Sequence, residues 1–173
     1  MLDFRFNEKK SHEDCAVVVL LFDVKELQTE RLVKKVGKNI IEALRLAVVA
    51  EDVKSEVYLK TYFGQQPCVL MTINEKLPIK SGKKVYNALK KYMNANVYLP
   101  EKCDESYFEK FAIGMENANY SFDKYNTKKK AEDFDKLEIV NFISSSRINM
   151  EKVTAVTNAV RYARDLSNEP ANK

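Results

Sequence analysis

The side chains able to do chemistry in this chain are few and scattered. Its three cysteines, Cys15, Cys68 and Cys103, lie far apart and form no Cys-x-x-Cys pair. Odd in number and widely spaced, they read as free thiols of a reducing compartment, not as a disulfide framework or a zinc site. Cys15 and Cys68 fall in apolar runs and are expected to be inert core thiols, which leaves Cys103 as the one expected at the surface. The single histidine, His12, excludes a His-rich metal centre. It stands three residues before Cys15, but a nucleophile and its base meet through the fold and not through adjacency, so a surface histidine is favoured over a Cys–His dyad.

Two adjacent carboxylate pairs, Glu51/Asp52 and Glu132/Asp133, have the residue type for metal binding or acid–base work. Neither has apolar neighbours that would build a pocket, and solvated loop charge is the favoured reading. The four glycines, Gly37, Gly64, Gly82 and Gly114, are isolated. A phosphate-cradling loop needs several glycines together so that backbone N–H groups converge on the anion, and none can form here. The basic clusters are Lys83, Lys84, Lys90 and Lys91, which share a helix with Tyr86, and Lys128 to Lys130 in a polar connection. Phosphate contacts would use such charges, but 29 Lys+Arg against 25 Asp+Glu leaves only +4, and solvated faces are favoured over a nucleic-acid interface. No catalytic, cofactor-binding or metal-binding residue is assigned.

The elements that would have to position a site are easier to read. Leu2, Phe4 and Phe6 alternate with Asp3, Arg5 and Asn7, which predicts a strand with one wet face at a sheet edge. Cys15 to Phe22 is apolar on both faces, the pattern of a central strand covered on both sides. Leu32, Val36, Ile40, Leu44 and Val48 recur at helical spacing with Lys34, Lys35, Lys38 and Arg45 opposite, predicting one long amphipathic helix capped by Thr29. Gly37 within it suggests close approach to the sheet. Residues 57–63 and 68–73, joined by the four-residue turn Gly64-Gln65-Gln66-Pro67, predict an antiparallel hairpin, with Tyr58 and Tyr62 packed under a helix.

Ser81 is expected to cap a helix carrying Val85, Leu89, Tyr92 and Met93, and residues 96–99 form a short strand before Pro100. Asp104 caps a helix with Phe108, Phe111, Ala112 and Met115 inward. Residues 121–136 are a polar connection, and 137–143 return as a strand. Asn149 caps a last helix with the stripe Val153, Val156, Val160 and Ala163, ending near Ser167. Strands alternating with helices, plus one hairpin, define a three-layer α/β domain: a mixed sheet with helices on both faces. At 173 residues there is room for one such domain, or one domain and a short tail. Charge within the first three residues argues against a signal peptide, and the longest apolar stretch is too short to span a bilayer. A cytoplasmic protein with no membrane association is expected.

Two segments carry a resemblance. The first is Phe111-Ala112-Ile113-Gly114 followed by Tyr120-Ser121-Phe122-Asp123-Lys124-Tyr125. The second is Ala163-Arg164-Asp165-Leu166-Ser167-Asn168-Glu169-Pro170-Ala171-Asn172. In order and separation they resemble the N-terminal domain of the leucyl (cytosol) aminopeptidase family of dinuclear metallopeptidases, where a Gly…Tyr-x-Phe-x-x-Tyr stretch is followed by a strand and a linker helix ending Ala-Arg-Asp-Leu-x-Asn-x-Pro-x-Asn.

The resemblance implies a macro-domain-like fold over residues 1–148, an interdomain linker helix with the first residues of a catalytic domain over 149–173, and a non-catalytic role. It implies a catalytic domain beyond Lys173 as partner, a homo-hexamer at full length, and release of N-terminal amino acids from peptides by two divalent ions, zinc or manganese. None of the family's metal-binding motifs, nor its Asn-Thr-Asp-Ala-Glu-Gly-Arg motif, occurs here, so no metal or other cofactor is assigned to this chain. Arg164, Asp165, Asn168 and Pro170 match the linker motif and are expected to end the helix and dock the absent domain. Two alternatives remain: a nucleic-acid-binding domain, and a stand-alone macro-like ligand-binding module, for which ADP-ribose binding is not expected without a glycine-rich loop.

Overall fold

A computed structural model describes residues 1–8, 15–51, 57–121 and 137–169. Six strands, β1 (Asp3–Phe6), β2 (Ala16–Leu21), β3 (Tyr58–Phe63), β4 (Gln66–Thr72), β5 (Asn94–Tyr98) and β6 (Ile139–Ile143), form one sheet in the order β1-β6-β5-β2-β4-β3. Every neighbouring pair is parallel except β3–β4, which is antiparallel. Five helices accompany it among the described residues: α1 (Glu30–Val36), α2 (Lys38–Ala50), α3 (Pro78–Leu89), α4 (Glu105–Asn119) and α5 (Met150–Asn168). The three-layer α/β architecture read from the sequence is the one found. β1 lies at an edge, and β2 lies inside the sheet with all six residues buried.

Alternation of side chains across the strands divides the core in two. Val18, Leu20, Val69, Met71, Val97, Val140 and Phe142 face α3 and α4, where Val85, Leu89, Phe108, Phe111 and Met115 meet them. Val17, Val19, Leu21, Leu59 and Leu70 face α1 and α2, under Leu32, Val36, Ile41 and Leu44. Each such side chain taken fully out of water contributes about 1.5–3 kcal/mol, so the two sheet faces together hold the fold. Helix α5 packs chiefly on α4.

Several local expectations are corrected. The long helix is two helices, broken at Gly37, which has φ 110°. A side chain there would meet no atom within 4 Å, so Gly37 serves a backbone turn that L-residues disfavour and not a close approach. Thr29 occupies the N-cap position of α1, but its hydroxyl makes no capping bond. Ser81 is not a cap: α3 begins one turn earlier at Pro78, whose fixed φ suits the first helical position. The buried Ser81 hydroxyl instead donates to the Asn74 carbonyl and accepts from the Asn74 N–H.

The hairpin turn is Gly64-Gln65 alone, with Gln66 and Pro67 inside β4. Gly64 at φ 61° in the first central position is the type II′ pattern, whose twist suits paired strands. Close approach does occur where α3 crosses α4. A Cβ on Gly82 would lie 2.1 Å from the Phe111 carbonyl oxygen, and one on Gly114 would lie 2.3 Å from that of Ile79.

Asp104 and Asn149 cap α4 and α5 as expected, accepting from the N–H groups of Tyr107 and Lys152. The inward stripe of α5 is the expected one only in part: Val153 and Val160 turn inward, Val156 and Ala163 do not. Val153 and Thr157 are buried, and Arg161 and Arg164 continue the line half-buried, while Val156, Tyr162, Ala163 and Leu166 are exposed.

Candidate functional site

The carboxyl ends of parallel strands are where α/β sheets usually hold ligands. Two hollows open there, on either side of the end of β2. The larger, about 620 Å³, lies between Phe22, Ile73, the Asn74–Leu77 loop and the start of α3, with Lys80 and Lys84 on its wall. The smaller, about 130 Å³, lies between the ends of β2 and β5, the 3₁₀ turn Val24–Gln28 and α1.

Glu26 and Lys35 line the smaller hollow, and burial pushes both towards neutrality: the Glu26 carboxyl up, the Lys35 ammonium down. Glu26 is committed to a capping box, where it accepts from the Asp23 N–H at 3.1 Å. Neither hollow brings together a nucleophile and a base.

The residues singled out in the sequence do not converge. Cys103, expected at the surface, is 2% exposed, and burial first, then Asp104, pushes its thiol up to about 12. Cys15 and Cys68 are buried as expected, and burial also raises the Cys68 thiol. Tyr86 is buried and donates to the Asn119 side chain at 2.9 Å, so it does not interleave with Lys83, Lys84 and Lys91 on the exposed face. Tyr58 and Tyr62, expected beneath a helix, are 48% and 66% exposed. Arg45 is not on a free solvent face: its guanidinium donates twice to the Leu27 carbonyl, at 2.8 and 3.2 Å. Glu51 is exposed. His12, Asp52, Glu132, Asp133, Lys128 to Lys130 and Pro170 lie outside the described residues.

The constellation that does converge lies at the seam between α4 and α5. Tyr120, at the C-terminal end of α4, donates its hydroxyl to Asp165 at 2.7 Å and accepts from the Asn168 amide at 3.4 Å. The Arg164 guanidinium lies 5.2 Å from the Tyr120 ring centroid and donates to the Asn117 carbonyl at 2.9 Å. One helical turn back, Arg161 donates to Glu116 at 2.7 Å, and the other Glu116 oxygen accepts from the Leu2 N–H at 2.7 Å. Glu116 is 1% exposed. At the start of α5, Lys152 pairs with the buried Glu109.

The two sequence segments that carry the resemblance therefore meet through Tyr120. Arg164, Asp165 and Asn168 lie at the end of α5 and bond to the C-terminal end of α4. Sequence periodicity missed the seam because its inward side chains are polar. The visible signal was their spacing, Thr157, Arg161 and Arg164 in steps of four and three.

The resemblance places its divalent metals in the other domain and names no donor in this chain. Among the described residues no group of three His, Cys, Asp or Glu side chains is placed to hold an ion. The buried carboxylates Glu109 and Glu116 already face cations. No helix among the described residues is long and apolar enough to cross a membrane.

No family model matches the sequence, and no curated protein matches it. Solved structures do match the fold. A mutant of tomato leucine aminopeptidase aligns over 99% of this chain with a TM-score of 0.68 at 14% identity. The chain spans 39% of that protein's length. At this identity the likeness is one of fold.

Proposed function

We propose that this chain is a non-catalytic accessory domain of the leucyl aminopeptidase type, the N-terminal partner of a metal-dependent peptidase domain. The observation that carries the reading is the meeting of the Gly114–Tyr120 segment with Arg164, Asp165 and Asn168 at one seam. The fold likeness to part of a leucine aminopeptidase supports it. On this reading residues 1–148 are the domain body and α5 is the strut that leads into the catalytic domain. The whole protein would remove N-terminal amino acids from peptides in the cytoplasm, as a hexamer, using two zinc or manganese ions held by the other domain.

The exposed apolar side of α5, with Val156, Tyr162 and Leu166, would then be the face that the catalytic domain covers. An assay of this chain with a leucyl-anilide substrate and Mn²⁺ or Zn²⁺ tests the reading. No turnover above the metal-only background is expected, and clear turnover overturns it. In a chain that includes the catalytic domain, Tyr162→Asp should loosen the two domains towards proteolysis, and unchanged protection would remove α5 as the strut.

A further inference from the structure

The outer edge of the sheet at β3 has no neighbouring strand among the described residues. In its ladder with β4, the Thr72 N–H donates to the Val57 carbonyl at 3.0 Å, so Val57–Thr72 is a hydrogen-bonded pair. By the alternation of antiparallel ladders, Leu59–Leu70, Thr61–Cys68 and Phe63–Gln66 are hydrogen-bonded too, and Tyr58–Met71, Lys60–Val69 and Tyr62–Pro67 are not. The position of Pro67 agrees, because it has no N–H to give. The N–H and C=O groups of Tyr58, Lys60 and Tyr62 therefore point away from β4, to the open edge.

The side chains of the same three residues share one face. Tyr58 and Tyr62 are exposed, and the Lys60 ammonium lies 5.5 Å from the Tyr58 ring centroid and 6.0 Å from that of Tyr92. No acidic residue occurs on β3, and the exposed Lys91 is next to Tyr92 in the chain. The edge thus combines three outward backbone pairs with a cationic centre flanked by aromatic rings.

We propose that this edge takes up an extended peptide segment as a seventh strand, with an acidic residue opposite Lys60 and β-branched or aromatic residues opposite Tyr58 and Tyr62. Backbone bonds to the three free residues would supply the affinity, and alternate side chains the selection. Charge decides against a second copy of this chain as the occupant. A two-fold pairing that uses all three free residues sets Lys60 directly against Lys60, and like charges so placed are destabilising. Lysine on an edge strand is also a common guard against edge-to-edge association. This proposal does not depend on the aminopeptidase reading.

The test is backbone amide exchange, followed by NMR, as a capped peptide Thr-Val-Thr-Glu-Thr-Val-Thr is added to the whole chain. Free, the Tyr58, Lys60 and Tyr62 amides should exchange fast while those of Leu59 and Thr61 are protected. Saturating peptide should slow the first three. A peptide with Lys in place of Glu should bind about three- to tenfold more weakly, and Lys60→Glu should invert that preference. Lys60→Pro removes a donor that faces the open edge, so the β3–β4 ladder should survive while binding is lost. Three results overturn the proposal: no added protection, a preference that Lys60→Glu leaves uninverted, or protection of the same amides in peptide-free protein that sediments as a dimer.

Discussion

Helix α4 meets α3 on one side and α5 on the other, and the two seams are built from opposite materials. Towards α3 the contact is apolar and notched: Gly82 and Gly114 let backbone pass within the space of a methyl group, and Phe111 and Met115 fill the sheet side. Towards α5 the contact is a line of charges and hydroxyls, with Glu109, Glu116 and Tyr120 answering Lys152, Arg161, Arg164 and Asp165. An apolar notch tolerates no added volume. A buried carboxylate tolerates added volume poorly as well, but what it cannot tolerate at all is the loss of its partner. The comparison teaches that the first seam defines the domain and the second attaches a helix to it.

Four experiments break or sharpen that contrast. Gly82→Ala drives a methyl against the Phe111 carbonyl oxygen at 2.1 Å and should cost about 3 kcal/mol or more in urea unfolding, lowering the stability of the whole domain. A cost under about 1 kcal/mol, in the range of tolerated core swaps, would show that the helices separate easily. Glu116→Gln keeps the shape and removes the charge between Arg161 and the Leu2 N–H, with an expected loss of about 2–3 kcal/mol. Amide exchange should rise in α5 before it rises in β2, and equal acceleration in both would erase the distinction between the seams.

Alkaline titration acts on the apolar side. Cys103 and Tyr107 are both pushed up to about 12, chiefly by burial, from ordinary values of 9.0 and 10.0. In both the fold favours the neutral form, so the unfolded chain gives up its proton first as pH rises. Their contribution is fully present below about pH 9 and is lost between about 9 and 12. The urea midpoint should fall across that window and fall less in Cys103→Ala, and a flat profile refutes the assignment. In the native protein at pH 8, Cys103 should resist maleimide. The smallest effect is expected for Tyr120→Phe, which removes the hydroxyl shared by Asp165 and Asn168 near the surface and should leave the urea midpoint almost unchanged. That loss should speed exchange only in the last turns of α5.

Much of the fold was legible because apolar periodicity reports burial. The fully buried run of β2, the inward aromatics of α4 and the caps Asp104 and Asn149 all stand where their spacing puts them. What escaped was set by neighbours distant in sequence. Gly37 looked like an interruption tolerated inside one helix, because spacing carries no sign of φ. Ser81 has the residue type of a cap, but Pro78, three residues earlier, already suits the first helical position. Of the α4–α5 seam, the sequence yielded the participants without their partners. Arg164 and Asp165 were recognised as a motif, but nothing local says that Tyr120 is what they hold.

Glu116 grips the second residue of the chain with one oxygen and the final helix with the other. Glu116 thus couples α5 to β1, beside the links that Lys152 and Arg164 make to α4. Releasing that one clasp would loosen the first strand and the helix together, two segments that stand 114 and 45 residues from it in the sequence.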